Sequence, residues 1–240
     1  RDSVKCVLEL GGKSPQIVFE DADLERAAPI IVRGIIQNAG QTCTAGSRLL
    51  VKASIYERFV AQVAQIFERV RVGSPEMDRD CGPLMNPTQL ARVNRYIDSA
   101  KASGIPVMAQ GQIDPEVPAG GYFVTPTFFG SVPRDSALAL EEVFGPVLAA
   151  FPFTDESDAI ALANGTPYGL LTAVWTENGG RQTRVAKAVR AGQVFINSYG
   201  AGGGVELPFG GTKRSGHGRE KGFLALEEMT TTKTIIQFHG

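Results

Sequence analysis

The sequence predicts an α/β fold, an open and mainly parallel sheet flanked by helices, on three observations. Helical and strand-like hydrophobic patterns alternate over most of the 240 residues, the rhythm of βαβ units. Hydrophobic residues make up 43% and charged residues 20%, which suits a large globular domain with a full core rather than a disordered chain. The alternation stops at residues 230–238, a β-prone run of Thr230, Thr231, Thr232, Lys233, Thr234, Ile235, Ile236, Gln237 and Phe238 with no helix after it. That run predicts an edge strand open to a partner.

Residues 4–10 (Val4, Lys5, Cys6, Val7, Leu8, Glu9, Leu10) open the chain as a strand. Arg1 leads straight into them without a methionine, so a piece of a longer chain is expected, with any targeting signal upstream. Beyond Asp21, the expected N-cap, Leu24, Ala27, Ala28, Ile31 and Ile35 recur at helical spacing. Pro29 should kink that helix or delay its start. Residues 47–51 read as a short buried strand. Ser54 and Glu57 form a capping box for a helix whose apolar stripe is Ile55, Phe59, Val63, Phe67 and Val70. Asn86 and Pro87 cap the next helix, with Leu90, Val93 and Ile97 on its apolar side and Gly104 as its stop. Residues 105–108 are then a strand, and 120–130 extended structure through Tyr122, Phe123, Val124, Phe128 and Phe129. A strand at 147–153, a helix at 155–164, a strand at 170–175, a helix at 183–190 ended by Gly192 and a strand at 194–197 complete the rhythm.

The formal net charge is -1, so no basic excess draws the chain to nucleic acid or an anionic membrane, and neither partner is expected. No apolar run approaches the roughly 20 residues of a membrane helix. Cys6, Cys43 and Cys81 are too few and too scattered for a disulfide framework. His217 and His239 stand away from any cysteine at ligand spacing, so no metal site is expected. A cytoplasmic location is expected, with any targeting signal left to whatever lies upstream.

Two residues carry candidate chemistry. Cys43 lies in Gly40-Gln41-Thr42-Cys43-Thr44-Ala45-Gly46-Ser47-Arg48, between a helix end and a strand. Small polar neighbours leave its sulfur uncrowded, and the loop can offer backbone N–H groups to an oxyanion. From its loop position alone, a nucleophile and a buried structural thiol remain equally open. Glu9, at the end of an apolar strand and before Gly11 and Gly12, is either a solvated strand-end carboxylate or a base. Desolvation among apolar neighbours would raise its pKa toward neutrality, as a general base requires. The glycine run at 200–204 is no dinucleotide fingerprint. Val205 takes the third glycine position, and Glu206, Leu207 and Pro208 open no helix. It is expected to be a mobile loop over the entrance to the site.

Leu8-Glu9-Leu10-Gly11-Gly12-Lys13-Ser14-Pro15 followed by Gly40-Gln41-Thr42-Cys43 resembles the glutamate and cysteine signatures of the aldehyde dehydrogenase superfamily. The resemblance continues through Glu141-Glu142-Val143-Phe144-Gly145-Pro146 and Pro208-Phe209-Gly210-Gly211-Thr212-Lys213-Arg214-Ser215-Gly216, and ends in Gly218-Arg219-Glu220 and the terminal β segment. It implies the catalytic half of an NAD- or NADP-dependent enzyme that oxidises an aldehyde to a carboxylic acid. In that scheme Cys43 is the nucleophile and Glu9 the base that activates water, and the presence of Glu9 points to hydrolysis rather than transfer to coenzyme A. Glu142 would hold the nicotinamide ribose with Phe144 beside the ring, and Leu10 and Gly11 would also meet the cofactor. Thr42, Thr44, Gly203 and Phe209 would line the aldehyde tunnel, and Glu220 would relay protons. Residues 1–11 would be the last strand of a cofactor domain otherwise absent, 12–214 the catalytic domain, 215–229 a return segment and 230–240 the strand that joins subunits into a dimer or tetramer.

The resemblance also places most of the cofactor domain, and a second oxyanion donor, outside these 240 residues, so the chain by itself is expected to turn over slowly or not at all. Two other readings compete. A cofactor-independent cysteine thioester hydrolase would need an orienting histidine, and neither histidine lies in a triad motif. A structural or assembly protein on the same fold would have little use for both Cys43 and Glu9.

Overall fold

In a computed structural model, the described residues, 4–200 and 203–240, build around a seven-stranded sheet. Its strands are β1 (Pro15–Val18), β2 (Arg48–Lys52), β3 (Val107–Gln110), β4 (Thr127–Phe129), β5 (Val147–Phe153), β6 (Leu171–Trp175) and β7 (Gln193–Ile196). Their spatial order is β7-β6-β1-β2-β5-β4-β3. Neighbours run parallel except β3 and β4, so the expected class is the observed one. The central strands are apolar on both faces (Ile17, Val18, Leu49, Leu50 and Val51 are fully buried), as a parallel sheet covered on both sides requires.

The helices are α1 (Leu24–Ile36), α2 (Tyr56–Phe67), α3 (Pro87–Ala102), the single turn α4 (Ala137–Leu140), α5 (Glu156–Asn164), α6 (Gly179–Ala188) and α7 (Gly222–Glu228). α1 pairs with α2, and α5 with α6, each pair packing on the sheet. Crossovers leave β1 in one direction and return from β5 in the other, and right-handed connections then put the two pairs on opposite faces.

Several local expectations are corrected. The cap of α1 is Asp23, whose side chain accepts from Arg26 N. Asp21 instead takes the Thr176 hydroxyl, Asn178 N and Arg181, fastening β6 and α6 to the end of β1. The helix runs unbroken through Pro29, whose ring lies on the exposed side. Ser54 caps nothing. It sits in a 3-10 turn, Ala53–Ile55, and α2 starts without a side-chain cap, although the predicted stripe from Ile55 to Val70 is buried. Residues 122–124 form no strand, and the pairing begins at Thr127. α6 starts at Gly179 rather than Thr183, because Asn178 caps Arg181 N.

The ends of the chain differ most from expectation. Of residues 4–10 only Leu8–Glu9 is strand, paired antiparallel with Gly216–His217. Residues 230–240 form no strand, and Ile235, Ile236 and Phe238 are exposed. β propensity alone cannot hold a strand without a ladder partner. Part of the glycine loop, residues 201 and 202, lies outside the described residues. Among the described residues no helix is long and apolar enough to cross a membrane.

The two helix starts make a contrast. Asn86 caps α3 by accepting from Gln89 N at 2.8 Å, so Asn86→Ala should cost about 1 kcal/mol, whereas Ser54→Ala should change stability by under about 0.5 kcal/mol. Urea unfolding of both variants measures this, and equal losses would contradict the assignment of caps.

Candidate functional site

The segments that carry the predicted site residues enter three adjacent parallel strands at the same end. Gly11 and Gly12 precede β1, the Cys43 loop precedes β2, and Glu142 and Phe144 precede β5. The register is direct, Pro15 opposite Arg48 and Arg48 opposite Ala149. Residues far apart in sequence are therefore neighbours because their strands are.

Gly12 is the meeting point. Its N–H donates to Glu142 Oε1 at 2.8 Å, and a Cβ there would lie 2.2 Å from the Cys43 carbonyl oxygen. At Gly11 a Cβ would come within 2.3 Å of Glu142 Oε2. Only two residues without side chains let a carboxylate and the thiol loop close on the same backbone. Burial raises the pKa of Glu142, against the pull of the Gly12 N–H and of Lys13 and Arg92.

Cys43 is half-buried and free. Its loop is a tight turn with Ala45 N bonded to Thr42 O, Gly46 N to Gly34 O, and the hydroxyls of Thr42 and Thr44 3.2 Å apart. Thr44 is buried, and its carbonyl accepts from the Tyr199 hydroxyl. Burial pushes the Cys43 pKa up, and the Glu9 charge adds to the rise. The backbone N–H groups of Cys43 and Thr44 oppose it.

Glu9 is close enough for its charge to act on Cys43, and its carboxylate stands against Gly210. Oε1 lies 2.8 Å from where a Cβ of Gly210 would sit. Both oxygens are enclosed with no hydrogen-bond partner; the Gly211 N–H is near enough to lower the pKa without bonding geometry. The net shift is upward, from desolvation first and the Glu220 charge second, the direction the sequence led us to expect. Leu10, half-exposed, donates its N–H to Ser215 O at 3.1 Å. Phe209 and Glu220 face each other as backbone partners, with the Lys221 ammonium 5.3 Å from the Phe209 ring centre. Gly203 sits apart from them on the exposed loop, against Leu207.

Phe144 holds a left-handed backbone, φ 59°, a conformation costing a residue with a side chain on the order of 1–3 kcal/mol. Its carbonyl accepts from Gln89 Nε2 at 2.6 Å.

The structure adds two residues the sequence reading missed. Arg48 is buried, and its guanidinium donates to Lys13 O, Leu162 O and Ala163 O, tying β1 and α5 together. Lys13 is buried with Nζ unpartnered, and burial, helped by Arg48, lowers its pKa to about 7. The signal for both was a charged residue among small residues directly at a strand entry; Arg48 is compensated by three carbonyls, and Lys13 is not. Among the described residues no cluster of three or more His, Cys, Asp or Glu side chains suits a metal ion.

The sequence pattern of the aldehyde dehydrogenase family matches residues 1–235. An aldehyde dehydrogenase of Emericella nidulans is 44% identical over 96% of the chain and 46% of its own length. A crystal structure of a Burkholderia cenocepacia protein, provisionally described as an aldehyde dehydrogenase, shares 57% identity with a TM-score of 0.94, covering 95% of this chain and 48% of that one. An aldehyde dehydrogenase from Bacillus cereus, solved as its NAD+ complex, shares 43% identity with a TM-score of 0.87 over 92% of this chain and 45% of that one. The chain thus spans about half the length of the relatives it matches.

The raised Cys43 pKa makes the unliganded thiol slower, not faster, at neutral pH. Alkylation by iodoacetamide, followed at Cys43 by peptide mass, should have its midpoint above that of an ordinary cysteine, and Glu9→Gln should bring the midpoint down by removing a negative charge. A midpoint below the ordinary thiol range would contradict this electrostatic picture.

Proposed function

Because the chain belongs to the aldehyde dehydrogenase family, we propose that it is the catalytic portion of an enzyme that oxidises an aldehyde to a carboxylic acid with NAD or NADP. The observation that carries the reading is the convergence of Cys43, Gly12 and Glu142 at the entries of neighbouring strands, with the Glu9 charge acting on the thiol.

The residues present fit a dinucleotide. Glu142 uses one oxygen on the Gly12 N–H, and its other oxygen has no hydrogen-bond donor among the described residues, which suits a ribose hydroxyl. Phe144, Leu10 and Gly11 are assigned to the same cofactor, Gly11 lying against Glu142. When bound, the oxidised nicotinamide supplies the hydride acceptor that the conversion of aldehyde to acyl group requires.

The chain's own residues do the rest. Cys43, as thiolate, adds to the aldehyde carbon, and its backbone N–H steadies the oxyanion. After loss of hydride the acyl group stays on the sulfur as a thioester. Glu9 takes a proton from water, the water oxygen bonds the acyl carbon, and the C–S bond breaks to release the acid and the thiolate. A carboxylate that no hydrogen bond ties down can turn from Gly210 toward the thioester. Glu220, whose charge already acts on Glu9, would pass the proton outward. Thr42, Thr44, Phe209 and Gly203 are assigned to the aldehyde's path, with Thr42 beside the sulfur in sequence.

Acylation chemistry alone, without a dinucleotide, is the competing reading. In the protein as its gene encodes it, Glu9→Gln should lower turnover roughly a hundred- to ten-thousandfold and leave an acyl adduct on Cys43, seen by intact mass only when aldehyde and dinucleotide are both supplied. The isolated 240 residues, which span about half the length of their relatives, should produce little NADH, since loss of even one oxyanion donor would cost roughly two to three powers of ten. Unchanged turnover in Glu9→Gln would contradict the assigned base, and vigorous NADH formation by the isolated chain would contradict its dependence on further residues.

We assign residues 230–240 to subunit contact in a homodimer or tetramer, on the support of a β-prone segment whose Ile235, Ile236 and Phe238 are exposed. Light scattering on a chain ending at Met229 should show a smaller assembly, and an unchanged mass would refute the assignment.

A further inference from the structure

One face of α3 takes no part in the chemistry above, yet it holds each residue from Glu141 to Phe144. Gln89, Arg92 and Tyr96 stand three and then four residues apart, along one side of the helix. The Tyr96 hydroxyl donates to Glu141 Oε2 at 2.6 Å. Arg92 Nη2 donates to the Glu142 carbonyl at 2.6 Å. Gln89 Nε2 spans the next two carbonyls, Val143 O at 3.1 Å and Phe144 O at 2.6 Å. Beneath them Val93 is fully buried, and a Cβ on Gly145 would come within 2.4 Å of Val93 Cγ2. The lead-in to the same helix grips the thiol loop, because Met85 N donates to Gln41 Oε1 at 2.8 Å and Gln41 Nε2 reaches Pro83 O at 3.4 Å.

We propose that Gln89, Arg92 and Tyr96 are positioning residues that fix Glu142 and Phe144 relative to Cys43, with α3 as the rigid bar between the two segments. The inference rests on the dehydrogenase reading, in which Glu142 and Phe144 meet the dinucleotide. Its physical basis is the left-handed backbone at Phe144. A strained φ persists only where surrounding bonds over-determine it, and the Gln89 amide, with two N–H groups on one nitrogen, can satisfy two successive carbonyls at once. Released from that grip, Phe144 would relax to an ordinary φ and carry Glu142 with it. The Gln89 and Arg92 bonds go to backbone carbonyls and fix the path of the loop whatever side chains it bears, so the effect falls on cofactor placement and leaves the thiol's own chemistry alone.

The test uses Gln89→Met and Tyr96→Phe, near-isosteric changes that remove donors, in the protein as its gene encodes it. The measurements are hydrogen exchange of the amides at 141–145 without ligand, the Kd of the oxidised dinucleotide by calorimetry, and KM and kcat. Gln89→Met should raise the dinucleotide Kd and KM roughly tenfold, with kcat and the aldehyde KM within about twofold. Exchange at 141–145 should quicken while β5 keeps its protection. Tyr96→Phe should give a smaller change of the same kind, roughly threefold. Dinucleotide binding left untouched in both variants would overturn the proposal alone, as would a uniform fall in Tm, kcat and both KM values, the mark of a general packing role. Wild-type protein that binds no dinucleotide would overturn the dehydrogenase reading along with it.

Discussion

The parallel ladder β1-β2-β5 is the constraint on which the site depends. Strands in a sheet lie about 4.8 Å apart, so three segments that enter adjacent parallel strands at one end must meet there. Gly12, Cys43 and Glu142 are brought together by the pairing of Pro15 with Arg48 and of Arg48 with Ala149, before any contact among the three is considered. Open α/β sheets usually bind ligands beyond the carboxyl ends of their strands, where helix N-termini supply charge. Here the segments gather at the amino ends, and the donors come from irregular backbone, the Gly12 N–H and the turn at Cys43. Arg48 reinforces the arrangement. A guanidinium that bonds the carbonyls of Lys13, Leu162 and Ala163 locks the entry of β1 to the end of α5, and its burial is tolerable because those acceptors replace water.

The sequence made the alternation of strands and helices plain, since hydrophobic periodicity survives wherever a sheet or helix face is buried. β5 and the stripe from Ile55 to Val70 are where the pattern put them. Caps were less legible, because Ser, Asp and Asn are frequent in loops and only geometry tells which one closes a helix. Asp21 and Ser54 look like caps in sequence; Asp23 and Asn178 are caps in space. Residues 230–240 mark another limit. Propensity describes what a segment can join, and a ladder needs a second strand.

Motif order brought Cys43, Glu9 and Glu142 to notice, but nothing in the sequence disclosed what supports them. Gln89, Arg92 and Tyr96 sit on the polar side of an ordinary amphipathic helix, with no signature that separates them from a solvated face. Their role exists only in the contacts to residues 141–144, which lie far along the chain. Support of this kind is written in backbone geometry, above all in the positive φ of Phe144, and a residue pattern cannot show it.

The two carboxylates of the site differ in a way that suits different tasks. Glu142 is fixed twice, through its side chain by Gly12 and through its backbone by Arg92. Glu9 has neither oxygen bonded and sits between the charges of Glu220 and Arg219. A group that holds a ligand gains from rigidity, since binding then costs little ordering. In the proposed reaction Glu9 serves only the second stage, and such a base gains from being able to leave, because a negative charge kept beside Cys43 would hold the thiol protonated. The upward shift at Cys43 is the cost of even partial proximity. Under the proposed hydrolytic reaction, a Glu9 that no hydrogen bond ties down would let the thiolate form first and water be activated afterwards.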